Sequence, residues 1–176
     1  MAGFTTRCYD GQFFFDVDHP VPTLANPLAV ASNMTAGGAA PWFLLDASRP
    51  LKPIIYQTRA PAKFVAMNKD DDESVFMRKE YRYGADLRGA AGYGFWQMAH
   101  GAQVVLNEAS YEAARLAMTT QKREDGKPLI IKPNIIVVGP SNRAAAKKLF
   151  LTSTLAAGGD NPYFNDVTVL EVPWLG

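Results

Sequence analysis

PWFLLDASRPLKPIIYQTRAPAKFVAMNKDDDESVFMRKEYRYGADLRGAAGYGFWQMAHG, Pro41–Gly101, holds half of the aromatic residues of the chain and its densest strand-like alternation. Trp42 to Leu45, Pro53 to Gln57 and Lys63 to Met67 are short apolar runs punctuated by Pro50, Pro53 and Pro61, which predicts strands with breaks between them. Prolines at strand starts point to sheet edges. Asn68 to Glu73 reads as a turn, Val75 to Arg82 as a further strand, Gly84 to Gly92 as a glycine-punctuated turn and Tyr93 to Ala99 as a closing strand. In an extended chain Phe76, Arg78, Glu80 and Arg82 would share one face and Val75, Met77, Lys79 and Tyr81 the other. Neither face is wholly apolar, so this stretch suits an interface better than a core buried on both sides. The expected arrangement is an antiparallel meander.

Working outward, Phe13 to Phe15 reads as a short strand bounded by Gly11 and the turn cluster from Asp16 to Pro22. Residues 20–40, rich in Pro, Ala, Asn, Thr and Gly, read as a long loop. After Gly101 the character changes. Asn107 is placed to cap a helix with Glu108 in its first turn, and Tyr111, Ala114, Ala117 and Met118 follow at helical spacing until Lys122 and Arg123. Asn134 to Val138 reads as a buried strand. Ser141 is placed to cap a second helix to about Thr152, with Ala145 and Leu149 inward, and Val167 to Val172 supplies a last strand stopped by Pro173. Strand, helix and strand in that order predict a right-handed crossover. The fold class is α+β, in one domain over 1–176 that is strand-rich to about 101 and mixed from about 102.

At 176 residues the chain suffices for one core, with 48% hydrophobic and 20% charged residues in globular proportion. A formal charge of +1 is not that of a protein built to grip nucleic acid through phosphates, leaving only weak, non-specific contact with DNA. Cys8, the one cysteine, allows neither an internal disulfide nor a cysteine-based zinc site, which points to a reducing compartment. No apolar run approaches the ~18 residues of a membrane span. The first residues lack the order of a signal peptide, so a soluble, non-secreted protein is expected.

Asp16-Val17-Asp18-His19 is the one place where carboxylates and a histidine cluster in sequence. A metal or a general acid/base pair is one reading, and turn hydrogen bonding before Pro20 the other. Asp70 to Glu73 lacks the ligand spacing and central glycine of a calcium loop and reads as a solvated turn or a charged patch facing a partner. Gly89, Gly92 and Gly94 do not have dinucleotide-loop spacing. His100 stands alone, no serine sits in a nucleophile elbow, and Arg143, Lys147 and Lys148 form the wet face of a helix.

CYDGQFFFDVDHP, WFLLDASRPLKPIIYQTRAPAKFVA, DDDESVFMRKEYRYGADLRGAAGYGFWQMA and DGKPLIIKPNIIVVGP, in that order, resemble the major head subunit of phage Mu and Mu-like prophages, the gpT family. The resemblance implies a major capsid protein with the Hong Kong 97-like fold, in which this chain supplies the rest of the peripheral domain and the axial domain. The family's N-arm, extended loop and spine helix would be absent, with Met1 to Phe4 falling where the spine helix finishes. It implies a structural protein without enzymatic activity, cofactor or metal, resident in the virion after synthesis in the host cytoplasm. Its partner would be itself, in pentamers and hexamers, with other head proteins beside it.

On that reading Arg59, Asp70, Asp71, Asp72, Glu73, Arg78, Glu80 and Arg82 are the candidate subunit contacts, since charge complementarity fixes orientation between repeated copies. Trp42 and Trp96 are expected as core anchors. Two other readings compete: a metal-dependent enzyme using Asp16, Asp18 and His19 or His100, and a prophage-derived module that binds a different protein.

Overall fold

A computed structural model describes residues 4–23, 26–155 and 158–175. They form two compact units, one made of the chain up to Pro53 and from Tyr93 onward, the other of Ile54–Gly92. The first unit is built on β4, Trp42–Leu45, four consecutive apolar residues that are all buried. A strand of that composition is stable only when both faces are covered and both edges paired. It pairs antiparallel with β7, Ala99–Ala102, on one side and with β8, Ile135–Val138, on the other. The two-residue β3, Met34–Thr35, runs parallel to β7, and β9, Thr168–Glu171, runs parallel to β8, giving the order β3-β7-β4-β8-β9.

Alternation along β4 sends residues to two cores. Trp42 and Leu44, with Ala102, Ile136 and Val138, face α2, Glu108–Thr119, and α3, Arg143–Phe150, which bury Tyr111, Ala114 and Met118 and Ala146, Leu149 and Phe150 against them. Phe43 and Leu45 face Phe14, Phe15, Trp96 and Ala99. Phe15 lies so close over Gly101 that a Cβ there would meet its ring at 2.9 Å. The sheet is thus covered by helices on one face and by the N-terminal aromatic segment on the other.

Helix α2 starts at the expected cap. Asn107 Oδ1 accepts from the Ser110 N–H at 2.8 Å, and Ser110 Oγ accepts from the Asn107 N–H at 3.0 Å. It ends at Thr119, short of Lys122, where the Thr119 and Thr120 hydroxyls donate to the carbonyls of Arg115 and Leu116 in competition with the next turn. Ser141 is not a cap: Pro140–Asn142 forms a 3₁₀ turn, and the Asn142 amide donates to the Ala40 carbonyl at 2.9 Å before α3 begins. The order β8, α3 and a parallel β9 is as expected.

Other expectations are corrected. Phe13 to Phe15 is no strand; Phe13 makes an isolated bridge to Arg7 and stays exposed, and the Phe14 and Phe15 side chains plug the sheet face. The 20–40 loop includes Pro20 of β1, His19–Pro20, together with β2, Val30–Ala31, and β3, with β1 and β2 pairing antiparallel. Tyr93 to Ala99 is not one strand: a 3₁₀ turn over Trp96–Met98 interrupts it and leads into β7, which begins at Ala99.

In the second unit, the two strands expected around Pro61 are one, β5, Ile54–Met67. The glycine turn is strand too, within β6, Arg82–Tyr93, which pairs with β5 in a two-stranded sheet. A two-stranded ribbon has two free edges, so a proline and several glycines interrupt no inner ladder. The strand expected over Val75–Arg82 begins as α1, Glu73–Arg78, with Ser74 and Val75 buried, and ends where Lys79 turns left-handed at φ 53°. Glu73 in its first turn and Arg78 in its last suit the helix dipole, which the strand reading of the same residues overlooked.

Replacing Asn107 by alanine removes the reciprocal cap of α2. The expected cost is about 1 kcal/mol, a fall of about 2–4 °C in Tm by calorimetry, with Asn107→Asp retaining most of the stability.

Candidate assembly interface

All eight candidate contact residues lie in the unit Ile54–Gly92. Arg59 stands exposed on β5, Asp70 and Asp71 on the turn before α1, and Glu73 and Arg78 at the two ends of that helix. Asp72 is partly turned inward, its Oδ2 accepting from the Lys69 N–H at 2.9 Å. Glu80 and Arg82 pair at 3.1 Å in the open. A pair that exposed contributes little by itself. Phe76 and Arg78 do not share a strand face with Glu80 and Arg82, because the first two belong to α1.

The alternation of the ribbon shows what the strand-by-strand reading missed. Tyr56 lies over Gly89, where a Cβ would fall 2.2 Å from its hydroxyl, and Phe64 stacks on Tyr83 with ring centroids 5.9 Å apart. The two contacts keep the same parity on either side of Pro61. One face therefore carries Ile54, Tyr56, Thr58, Ala60, Ala62, Phe64 and Ala66 from β5 with Tyr83, Ala85, Leu87, Gly89 and Ala91 from β6, and no charged side chain. The other carries Arg59, Lys63, Arg82, Asp86 and Arg88. Phe64 is 69% exposed and Tyr83 61% exposed, and Phe76 and Met77 on α1 are more exposed still. A two-stranded ribbon is marginal alone in water, and an apolar face of this length marks an interaction surface.

The Asp16/Asp18/His19 cluster is organised differently. His19 is fully buried and stacks on Trp96 with centroids 4.0 Å apart. Its Nδ1 contacts Asp10 Oδ2 at 2.6 Å and its Nε2 contacts Asn33 Oδ1 at 3.2 Å. The Asn33 amide donates to the carbonyls of Phe14 and Trp96, so Oδ1 is the acceptor and Nε2 carries the proton. Asp16 accepts from the N–H groups of Phe13 and Val17, and its own N–H donates to Asn33 Oδ1. Both ring nitrogens of His19 are occupied by neighbours, which leaves no lone pair for a metal. Among the described residues no three His, Cys, Asp or Glu side chains converge. The residues that matter here, Asp10 and Asn33, are distant from the motif in sequence and had no signal there.

His100 is buried on the helix side of the sheet beside Leu44 in register, its Nε2 at 2.9 Å from Thr35 Oγ1 and its Nδ1 without a partner among the described residues. Burial disfavours the imidazolium and lowers its pKa to about 4.

A family model described as Mu-like prophage major head subunit gpT matches residues 1–175. The Mu-like prophage FluMu major head subunit of Haemophilus influenzae is 42% identical over 90% of this chain and 54% of its own length. The major capsid protein of Escherichia phage Mu is 39% identical over 94% of this chain and 56% of its own. The chain thus spans just over half the length of these relatives. Among solved structures, a chain of the bacteriophage JBD30 procapsid superposes with a TM-score of 0.83 at 46% identity, over 98% of this chain and 60% of that one. A chain of the JBD30 capsid superposes with a TM-score of 0.82 at 29% identity, over 99% and 60%. The fold is that of phage capsid subunits.

The unfolded chain takes up a proton at His100 near pH 6.5, the folded chain near pH 4, so stability is complete above about pH 6.5 and declines as pH falls toward 4. Urea titrations at pH 7.5 and 5.0 are expected to differ by about 2 kcal/mol more in the parent than in His100→Gln, the carboxylate contribution being common to both.

Proposed function

Because the chain belongs to the Mu-like prophage major head subunit gpT family, we propose that it is a shell subunit, a structural protein whose task is to repeat one set of contacts with copies of itself around the packaged DNA. The single observation that carries this reading is the ribbon Ile54–Gly92, whose apolar face is too long and too open to be a finished surface. In a shell every copy is flanked by others, and cover of that face is part of assembly. Family membership and the likeness to capsid chains at high TM-score support the same reading.

In finer detail, the Hong Kong 97-like arrangement assigns the five-stranded sheet with α2 and α3 to the axial domain and the ribbon to the peripheral domain of a single subunit. The N-arm, extended loop and spine helix belong to the share of the relatives that lies outside the match. Arg59, Asp70, Asp71, Asp72, Glu73, Arg78, Glu80 and Arg82 are then orienting contacts around an apolar seal formed by Tyr56, Phe64, Tyr83 and Leu87. The apolar seal supplies the free energy, and the charges set which neighbour fits. The product is pentamers and hexamers in the virion, assembled in the cytoplasm of the host with other head proteins. Contact with DNA inside the shell is weak and non-specific on this reading, which the formal charge of +1 supports.

Light scattering across a concentration series, with micrographs of the most concentrated sample, tests this reading. The mass is expected to rise with concentration toward species with five- or six-fold views. Phe64→Ser with Tyr83→Ser is expected to shift that rise to at least tenfold higher concentration. A mass that stays at one chain throughout, or one indifferent to the double substitution, would overturn it.

A further inference from the structure

The ribbon unit keeps its two signs of charge apart. On the face of β5 and β6 opposite Tyr56 and Phe64 stand Arg59, Lys63, Arg82 and Arg88, with Asp86 as the one carboxylate, all of them exposed. The turn that leads from β5 into α1 has the reverse balance, Asp70, Asp71, Asp72 and Glu73 against Lys69. Neither group neutralises the other. Glu80 pairs with Arg82, and Asp72 accepts from the Lys69 N–H, but among the described residues Arg59, Lys63, Arg88, Asp70 and Asp71 make no ion pair.

The length of the ribbon accounts for this. Arg59 stands well before the end of β5 at Met67, roughly 26 Å away at ~3.3 Å per residue. Arg88 belongs to the same end of the ribbon, since its neighbour Gly89 lies under Tyr56. Charges in water are screened over about 8 Å at physiological ionic strength, so the acidic turn at the tip cannot compensate the stem of its own ribbon. A second copy can, because each chain carries both halves of the match.

We infer that the acidic turn of one copy docks on the charged stem face of another, with Asp70 and Asp71 meeting the Arg59 and Arg88 guanidiniums. Guanidinium and carboxylate form paired, directional hydrogen bonds, which fixes the angle between two ribbons as well as their attraction. The contact uses the face that Tyr56, Phe64, Tyr83 and Leu87 leave free, so it does not compete with the apolar seal. A nucleic acid is the weaker match for the stem, because Asp86 interrupts the cations and the chain as a whole carries only +1. The inference rests on the shell reading and assigns partners within it. An exposed pair adds little affinity, but reversing one side sets like charges face to face and selects against association.

Arg59→Glu with Arg88→Glu, and Asp70→Lys with Asp71→Lys, alter exposed side chains only. Each pair of substitutions is expected to weaken association, read by light scattering, at least about tenfold while circular dichroism and Tm stay those of the parent. Mixed in equal amounts, the two variants oppose an acidic stem to a basic turn and a basic stem to an acidic turn, and association is expected to return to within about threefold of the parent. Lys147→Glu with Lys148→Glu makes the same change in net charge in the other compact unit and is expected to rescue nothing when mixed with Asp70→Lys, Asp71→Lys. Rescue by that control, or no rescue by the matched variant, would overturn the pairing. Association that ignores both reversals but responds to Phe64→Ser with Tyr83→Ser overturns the pairing alone and leaves the shell reading standing. If the reversals leave association unchanged while a short DNA duplex binds the parent and not Arg59→Glu, Arg88→Glu, the stem belongs to nucleic acid and the pairing is overturned. A parent that never associates overturns both.

Discussion

Everything in the larger unit depends on β4 being hydrogen-bonded along both edges at once. Four consecutive apolar residues, Trp42 to Leu45, have no polar side to offer water, and their backbone groups are satisfied by β7 on one edge and β8 on the other. That single strand forces the layered plan. Trp42 and Leu44 require the helices, and Phe43 and Leu45 require the aromatic segment from the N-terminal end. Even the Trp42 indole is satisfied from within, donating to the Val104 carbonyl at 2.9 Å.

The second face is held by a polar device inside an aromatic cluster. Asn33 bonds the carbonyls of Phe14 and Trp96, the N–H of Asp16 and the ring of His19, and so ties the stretch from Phe14 to His19 and the turn at Trp96 to one side chain. A buried polar network of this kind is stabilising only while each member is satisfied. It also explains why Asp16 and His19, which look like part of a catalytic cluster in the sequence, are spent on architecture.

Legibility in the sequence followed burial. Strand β4, the cap at Asn107, strand β8 and the crossover to β9 were readable because an apolar run or a helical period has one low-energy solution when it lies in a core. The ribbon was not, because its signals are those of a surface element. Pro61, Gly84, Gly89 and Gly92 read as breaks, yet a two-stranded sheet with free edges tolerates all four. Residues 73–78 mix β-branched, aromatic and charged types, and local dipole and capping terms outweighed the alternation that suggested a strand. The uncharged face of the ribbon becomes visible only once Tyr56 is seen over Gly89 and Phe64 over Tyr83. The contact candidates in the sequence were therefore its charges, and the exposed aromatic face of the ribbon was not among them.

The placement of β4 in the chain also has a consequence in time. Its partners are Gly101 and Val137 opposite Phe43, so the central strand is synthesised long before either edge can be closed. The ribbon, by contrast, joins near neighbours and is complete by Tyr93. Local pairings form fast and distant ones slowly. A nascent chain therefore folds its exposed ribbon first and its core last, and during that interval the ribbon and the bare β4 are exposed together to other chains. The order of folding itself sets a limit on how concentrated nascent chains can become without pairing wrongly.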